Sequence, residues 1–302
     1  MQNVVQRPAL SVGIVGAGRV GSVVGATLRS AGHEIAAVSA RSDASVLRAA
    51  TTLPGVPVLA PTEVAGRADL LVLAVPDDAL VALSEELAGS GAVRPGTIVA
   101  HTSGRHGLAA LEALTRAGAR PIALHPAMTF TGATDDLDRA CVWGLTADDA
   151  ERETAEALVK DLGGSVLWVD EDDRVRYHAA LAHGANHLVT LVAQSLELLR
   201  GVATVPADAD ATPADVLRPL LEAALANALA LGDAALSGPV ARGDVTTVRA
   251  HVDALEHAPA STRDAYVAMA RATADRAERD ERLDARTADA VRDAVSPQRV
   301  GV

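Results

Sequence analysis

Short apolar runs alternate with amphipathic segments through the first 170 residues. The runs are four to eight residues long and bounded by turn-forming residues, which is typical of buried parallel strands. Between several of them, apolar residues recur at helical spacing, as in 79–88, 108–117 and 148–162. The alternation predicts an α/β fold with a doubly wound Rossmann sheet. The predicted strands are 10–15, 34–41, 56–59, 70–75, 97–101, 121–124, 142–145 and 165–169.

Beyond residue 172 the strand pattern ends and long Ala- and Leu-rich segments predict helices. These segments cover 174–200, 214–231, 245–255 and 262–279, with breaks at 206–213 and 232–244. A chain of 302 residues is long enough for two cores. We therefore predict a Rossmann domain over 9–170 and an all-α domain over 171–295, with a short loose start and a loose tail from Ser296.

A glycine-rich loop follows the first predicted strand and precedes the first predicted helix. Its sequence runs Gly16, Ala17, Gly18, Arg19, Val20, Gly21. In such a loop the first glycine makes a tight turn, the second lets the backbone approach a pyrophosphate, and the third lets helix pack on strand. An ordinary strand–helix turn is the plain alternative, but its place in a βαβ unit favours a dinucleotide site.

The end of the second predicted strand indicates which dinucleotide. NAD enzymes usually carry a carboxylate there to bind the ribose hydroxyls. This chain has Ser39, Arg41 and Ser42 instead, and a guanidinium with hydroxyls suits a 2′-phosphate. We expect NADP. Asp43 lies close enough to keep NAD possible, and Arg41 as a solvated loop residue is the other interpretation.

Three loops follow later strands at the edge where such sheets bind ligands. Val75 and Pro76 begin the first, His101 begins the second and is followed by Ser103, and His125 begins the third. Each could be ordinary turn chemistry. The two histidines are stronger candidates, because both directly end a predicted buried strand.

Composition excludes several classes of function. The net charge is −12, and the basic residues, all arginines except Lys160, form no clustered stripe, so we expect no nucleic-acid partner. Cys141 is the only cysteine, and the histidines lack a metal-ligand spacing, so we expect no metal. The start is unlike a signal peptide and no uncharged apolar run reaches about 18 residues. We expect a cytoplasmic protein that does not enter a membrane.

Taken together, the motifs resemble a known group of proteins. They are the glycine loop, 74–78, 101–104, 125–130, 177–180 with Asn186, and 237–244. This set resembles the Rossmann-like oxidoreductases with a C-terminal domain of unknown function (2520). That family lies within the superfamily of 6-phosphogluconate dehydrogenase, ketopantoate reductase and pyrroline-5-carboxylate reductase. The resemblance implies NADP(H)-dependent hydride transfer to or from a small 2-oxo acid, ketopantoate-like, or an imine.

The resemblance also implies roles for particular residues. Relatives often carry a lysine on the first helix after the Rossmann domain, and this chain has none there. His178 is the replacement we expect, as an acid that titrates near neutrality. With Asn186 and Ser103 orienting the substrate, Arg242 or His125 would bind its carboxylate.

Other interpretations of these residues remain open. His178 and Asn186 could be structural, and Asp244 is expected to cap a helix. The resemblance and the apolar helices also imply a homodimer. The alternative function is a non-catalytic NADP-binding sensor or interaction protein, because a fold does not by itself settle activity.

Overall fold

The computed structural model describes residues 8–133, 136, 141–202 and 211–296. The chain divides between Gly184 and Ala185 into two compact units. The predicted loose start and tail, and most of the predicted break at 206–213, lie outside the described residues.

The first unit is built on a seven-stranded sheet in the order β2-β1-β3-β4-β5-β6-β7. All neighbouring strands are parallel except β5 and β6, which are antiparallel. The predicted doubly wound sheet is confirmed. The strands are β1 Ser11–Val15, β2 Glu34–Ser39, β3 Leu70–Leu73, β4 Ile98–His101, β5 Arg120–Pro126, β6 Val142–Ala147 and β7 Ser165–Trp168.

Helices cover both faces of this sheet, which explains why its strands are apolar throughout. Val12 and Ile14 of β1 belong to one buried cluster, whereas Val15 belongs to a second. Trp143 is fully buried in the first cluster. The helices are α1 Arg19–Ser30, α2 Asp43–Thr52, α3 Pro61–Ala65, α4 Asp77–Ser90, α5 Glu112–Arg116, α6 Arg152–Asp161 and α7 Arg174–Leu181.

Two features of this unit differ from the prediction. The strand predicted at 56–59 is wrong: only an isolated bridge joins Val38 to Val58. Pro57 lacks an N–H and accepts one hydrogen bond from Val38 N, so no ladder extends from it. Without that strand, the three candidate loops at 74–78, 101–104 and 125–130 follow β3, β4 and β5. The antiparallel direction of β6 was not predicted, because an apolar run carries no direction.

The second unit is helical, as predicted, and contains two helices outside the predicted helical segments. Its helices are α8 His187–Val202, α9 Pro213–Leu231, α10 Gly238–Ala241, α11 Val245–Ala254, α12 Ala260–Arg279 and α13 Ala285–Ala294. The two are α10, which lies in the predicted break at 232–244, and α13, which buries only Ala288, Val291 and Ala294. Asp244 caps α11 by accepting a hydrogen bond from Thr247 N, as expected.

Two helical segments have unusual properties. Ala182–Asn186 is π-helical. The stretch Pro213–Ala241 is long and apolar enough to cross a membrane by length and composition, and its apolar window is wholly unburied. The stretch includes Asp215, Arg218 and Glu222, and a 3-10 turn at Gly232–Ala235 interrupts it.

Candidate functional site

The glycine loop has the geometry that a dinucleotide requires. Gly16 has a φ of +102°, a conformation that favours glycine, and a Cβ on Gly16 would strike the Ala74 carbonyl oxygen. A Cβ on Gly21 would collide with the Gly16 carbonyl oxygen. These two glycines therefore let the loop and the start of α1 lie directly against Ala74, the residue that follows β3.

Gly18 serves a different purpose. A Cβ there would have no heavy atom within 4 Å, so packing does not require glycine. It is the N-cap of α1, and no side chain caps that helix. Gly16 N and Ala17 N both donate to Ser39 O, which ties the loop to β2. The open position at an uncapped helix N-terminus suits a phosphate group.

A cavity of about 480 Å³ lies along this loop. Of the predicted cofactor residues, Gly16, Ala17, Gly18, Ser39, Arg41, Ser42, Val75 and Pro76 line it. The sequence analysis missed a further group that lines the same cavity, partly on one face of α4. The missed residues include Ser45, Pro61, Ala79, Ala82, Leu83 and Glu86.

The end of β2 combines an exposed cation with two hydroxyls that cap a helix. Arg41 is exposed and lines the cavity. Ser42 caps α2, because its hydroxyl accepts a hydrogen bond from Ser45 N at 3.2 Å. Both hydroxyl hydrogens are also used within this cap, because Ser42 Oγ donates to Ser45 Oγ and Ser45 Oγ donates to Ser42 O, so a serine must rotate before it can donate to a ligand. Glu86 is the only carboxylate among the lining residues, and Asp43 is not one of them.

The loop after β4 is held from within. His101 is fully buried; its Nε2 is 3.0 Å from Gly107 O and its Nδ1 accepts from Ser103 N. Burial lowers the pKa of His101 to about 4, so the ring is neutral at pH 7. Ser103 is also buried, and its hydroxyl accepts from His106 N. Both side chains hold the loop, and His101 does not line the cavity.

A tyrosine and two histidines meet where β5 ends. His125 Nδ1 is 2.9 Å from Tyr177 Oη, and the rings of His125 and His178 meet edge to face at 6.0 Å. A Cβ on Gly104 would lie 2.6 Å from His178 Cδ2 and 2.9 Å from His125 Nε2, so glycine gives the rings room. The structure thus brings His125 and His178 together.

Beneath this group lies a buried guanidinium. Arg174 is 1% exposed; its Nε donates to Thr146 Oγ1 and its Nη2 to the carbonyls of Ala123 and Gly144. Its Nη1 is buried without a hydrogen-bond partner among the described residues. Burial lowers the pKa of Arg174 to about 10, which still leaves it charged at pH 7.

Comparison with known protein families gives two matches. A Rossmann-like domain matches residues 1–126, and the domain of unknown function DUF2520 matches residues 141–273. The chain therefore combines a Rossmann-like domain with a DUF2520 domain. The DUF2520 part begins at β6, so it includes Arg174, Tyr177 and His178 as well as most of the helical unit. The sequence matches none of the curated proteins.

Solved structures of similar fold come from several organisms. A Bacteroides fragilis protein described as an NADP oxidoreductase is 20% identical, with a TM-score of 0.74 over 88% of this chain and 98% of that one. An imine reductase from Pseudomonas sp. is 18% identical, with a TM-score of 0.60 over 91% and 99%. Pyrroline carboxylate reductase from Plasmodium falciparum, solved with NADP bound, is 12% identical, with a TM-score of 0.56 over 95% and 98%. The DUF2520 protein shares their fold.

The remaining predicted residues of the DUF2520 protein lie in the second unit. Asn186 ends the π-helical segment Ala182–Asn186 and is exposed. Arg242 follows α10 and is exposed. Their substrate contacts stay predictions. Among the described residues, no group of three or more His, Cys, Asp or Glu side chains could hold a metal ion.

Proposed function

We propose that this DUF2520 protein is an NADP(H)-dependent oxidoreductase that transfers hydride to or from a small carbonyl or imine. The observation that carries the proposal is the open position at Gly18, at an uncapped helix N-terminus, beside a cavity that extends to Arg41. The loop would hold the pyrophosphate, and Arg41 with Ser42 and Ser45 would hold the 2′-phosphate. When bound, the nicotinamide supplies the hydride chemistry.

The protein supplies polar groups on the same edge of the sheet. β1, β3, β4 and β5 are consecutive neighbours and parallel, so the glycine loop and His125 follow the same ends of their strands. Ligands in such sheets bind outside these ends. His178, the proton donor expected from the sequence, belongs to the group around His125.

For the substrate, a small cyclic imine is our first candidate and a ketopantoate-like 2-oxo acid the second. The imine reductase and the pyrroline carboxylate reductase of similar fold support this order. His125, or Arg242 of the second unit, would bind a substrate carboxylate, and Ser103 and Asn186 would orient the substrate. Both substrate classes need a hydride on carbon and a proton on the adjacent N or O.

The experiment is NADPH oxidation, followed at 340 nm, against a panel that includes 1-pyrroline-5-carboxylate and ketopantoate. Turnover with a member of either class supports the proposal and identifies the class. Tight NADPH binding without turnover would contradict the reductase function and favour a non-catalytic NADP-binding sensor. Absence of NADPH binding would contradict both.

We also propose that the protein is a cytoplasmic homodimer that pairs through its helical unit. Large apolar side chains are exposed along both α8 and α9, and such an apolar surface needs a cover. Sedimentation at micromolar concentration is expected to give twice the mass of one chain; a monomer would contradict the dimer. The exposed residues include Leu188, Val189, Leu191 and Leu198 on α8, and Val216, Leu220, Leu225 and Leu229 on α9.

A further inference from the structure

The group around Tyr177 has the parts that a phenol needs in order to act as an acid. Tyr177 Oη lies 2.9 Å from His125 Nδ1. The Cζ atom of Arg174 is 5.9 Å from the centroid of the Tyr177 ring. A phenol that gives up its proton becomes a phenolate, and a fixed neighbouring cation stabilises that anion.

The cation is held rigidly where it can act. Two of the three Arg174 nitrogens donate to β-sheet groups, which fixes the guanidinium against β5 and β6. Buried Nη1 has no hydrogen-bond partner among the described residues. Burying a charge that is not fully paired costs free energy unless a nearby group interacts with it. Arg174 thus provides a fixed positive charge on a helix that lacks lysine.

The geometry also positions the phenol. A Cβ on Gly144 would collide with Tyr177 Oη, so the hydroxyl lies directly over the backbone of β6. Burial lowers the pKa of His125 to about 4, with smaller contributions from His178 and Arg174, while Asp77 opposes them. A neutral imidazole can donate to a phenolate, or accept from a phenol, without a change of charge.

We propose that Tyr177 delivers the proton in the reduction and that Arg174 is a positioning residue that stabilises the resulting tyrosinate. The inference rests on the proposed reductase function and identifies the residues that complete it. Burial is the main cause that raises the pKa of Tyr177; Arg174 lowers it, and Cys141 raises it slightly. A phenol with its ordinary pKa of about 10 is already protonated at pH 7, so Tyr177 holds a proton to donate, and Arg174 is the neighbour that favours its release.

The reduction adds a hydride and a proton to the C=N or C=O bond. Bound NADPH would supply the hydride for the carbon of that bond and would be left as NADP⁺. The electron pair of that bond moves to nitrogen or oxygen, which takes the proton from Tyr177 Oη as its O–H bond breaks. The tyrosinate then regains a proton from water. Oxidation of the product runs through the same steps in reverse.

The chain allows a test that does not depend on turnover, because Tyr177 and Tyr266 are its only tyrosines. In a Tyr266→Phe background, tyrosinate absorbance near 295 nm reports on Tyr177 alone. We expect Arg174→Met to raise the midpoint of this titration by about one pH unit or more, and Arg174→Lys to restore most of it. Arg176→Met on the same helix, an 87% exposed side chain, is the matched control and should leave the midpoint unchanged.

Turnover provides the second arm. Tyr177→Phe keeps the ring and should lower kcat by about 100-fold or more with the active panel substrate, while NADPH affinity changes less than twofold. A midpoint that does not move in Arg174→Met, or a kcat within threefold of wild type in Tyr177→Phe, would overturn the inference. So would a large loss of kcat in His178→Gln with none in Tyr177→Phe. Failure of NADPH binding in the wild type would instead refute the proposed function.

Discussion

Substitutions at two glycines of the loop should affect stability and cofactor binding separately. In Gly21→Ala the added methyl meets the Gly16 carbonyl oxygen and lies 2.9 Å from Ala74 Cβ. Overpacking of this kind costs about 1–3 kcal/mol, against a gain of roughly 0.5–1 kcal/mol from replacing a helical glycine. We expect a net loss of about 1–2 kcal/mol in the free energy of unfolding.

Gly18→Ala should behave in the opposite way. Gly18 has a φ of −74°, which alanine adopts freely, and a methyl there contacts nothing. A poorer N-cap costs about 1 kcal/mol and the stiffer unfolded chain returns about the same, so stability should hardly change. The methyl would, however, occupy the space of the pyrophosphate. Losing one charge-assisted hydrogen bond costs about 1.5–3 kcal/mol, so the Kd for NADPH should rise about 10- to 100-fold.

Both quantities can be measured cleanly. Trp143 and Trp168 are the only tryptophans and both lie in the first unit, so their fluorescence in urea follows the unfolding of that unit. NADPH affinity follows from calorimetric titration. Gly89→Ala, an exposed glycine of α4 with open space around it, is the control for the substitution itself. A Gly18→Ala protein that binds NADPH as tightly as wild type would refute the role of the open position.

Two further predictions concern stability. The pKa of His101 is about 4 in the folded protein and 6.5 in the unfolded chain, so its contribution to the free energy of unfolding should be complete above pH 6.5 and decline by about 3 kcal/mol towards pH 4. In His101→Gln, the free energy of unfolding in urea should therefore depend less on pH across that range. The same pH dependence in wild type and variant would contradict this. Arg120→Met should cost about 1–3 kcal/mol, because Glu151, whose side chain is 10% exposed, loses a bidentate partner. The control Arg116→Met, at an exposed ion pair, should change the free energy of unfolding by less than about 0.5 kcal/mol. Equal losses in the two variants would contradict the larger value expected for the Arg120–Glu151 pair.

The periodic features of this protein could be predicted from its sequence, because local physics dictates them. Strands buried on both faces must be apolar, and a glycine loop between strand and helix has few other uses. The helix α13 was not predicted, because only three small or branched apolar residues form its buried face. The strand predicted at 56–59 is wrong, because an apolar run resembles a strand even when it contains a proline.

The contacts around Tyr177 could not be predicted, since they join distant parts of the chain. His125 and Tyr177 are 52 residues apart, and Arg174 donates to Ala123 O from 51 residues away. Tyr177 lay in a motif that the sequence analysis quoted without a role. The one local signal was the missing lysine on the first helix after the Rossmann domain, because it left open which residue replaces that lysine.

The central claim is that the protein binds NADP(H) in preference to NAD(H) through the glycine loop and Arg41. Calorimetric titration of NADPH and NADH into the wild type and Arg41→Ala tests it most directly. We expect NADPH to bind at least about tenfold more tightly, and Arg41→Ala to remove most of that preference by weakening NADPH alone, because one arginine–phosphate pair is worth about 1.5–3 kcal/mol. Equal affinities in the wild type, tighter NADH, or no binding of either nucleotide would contradict the account.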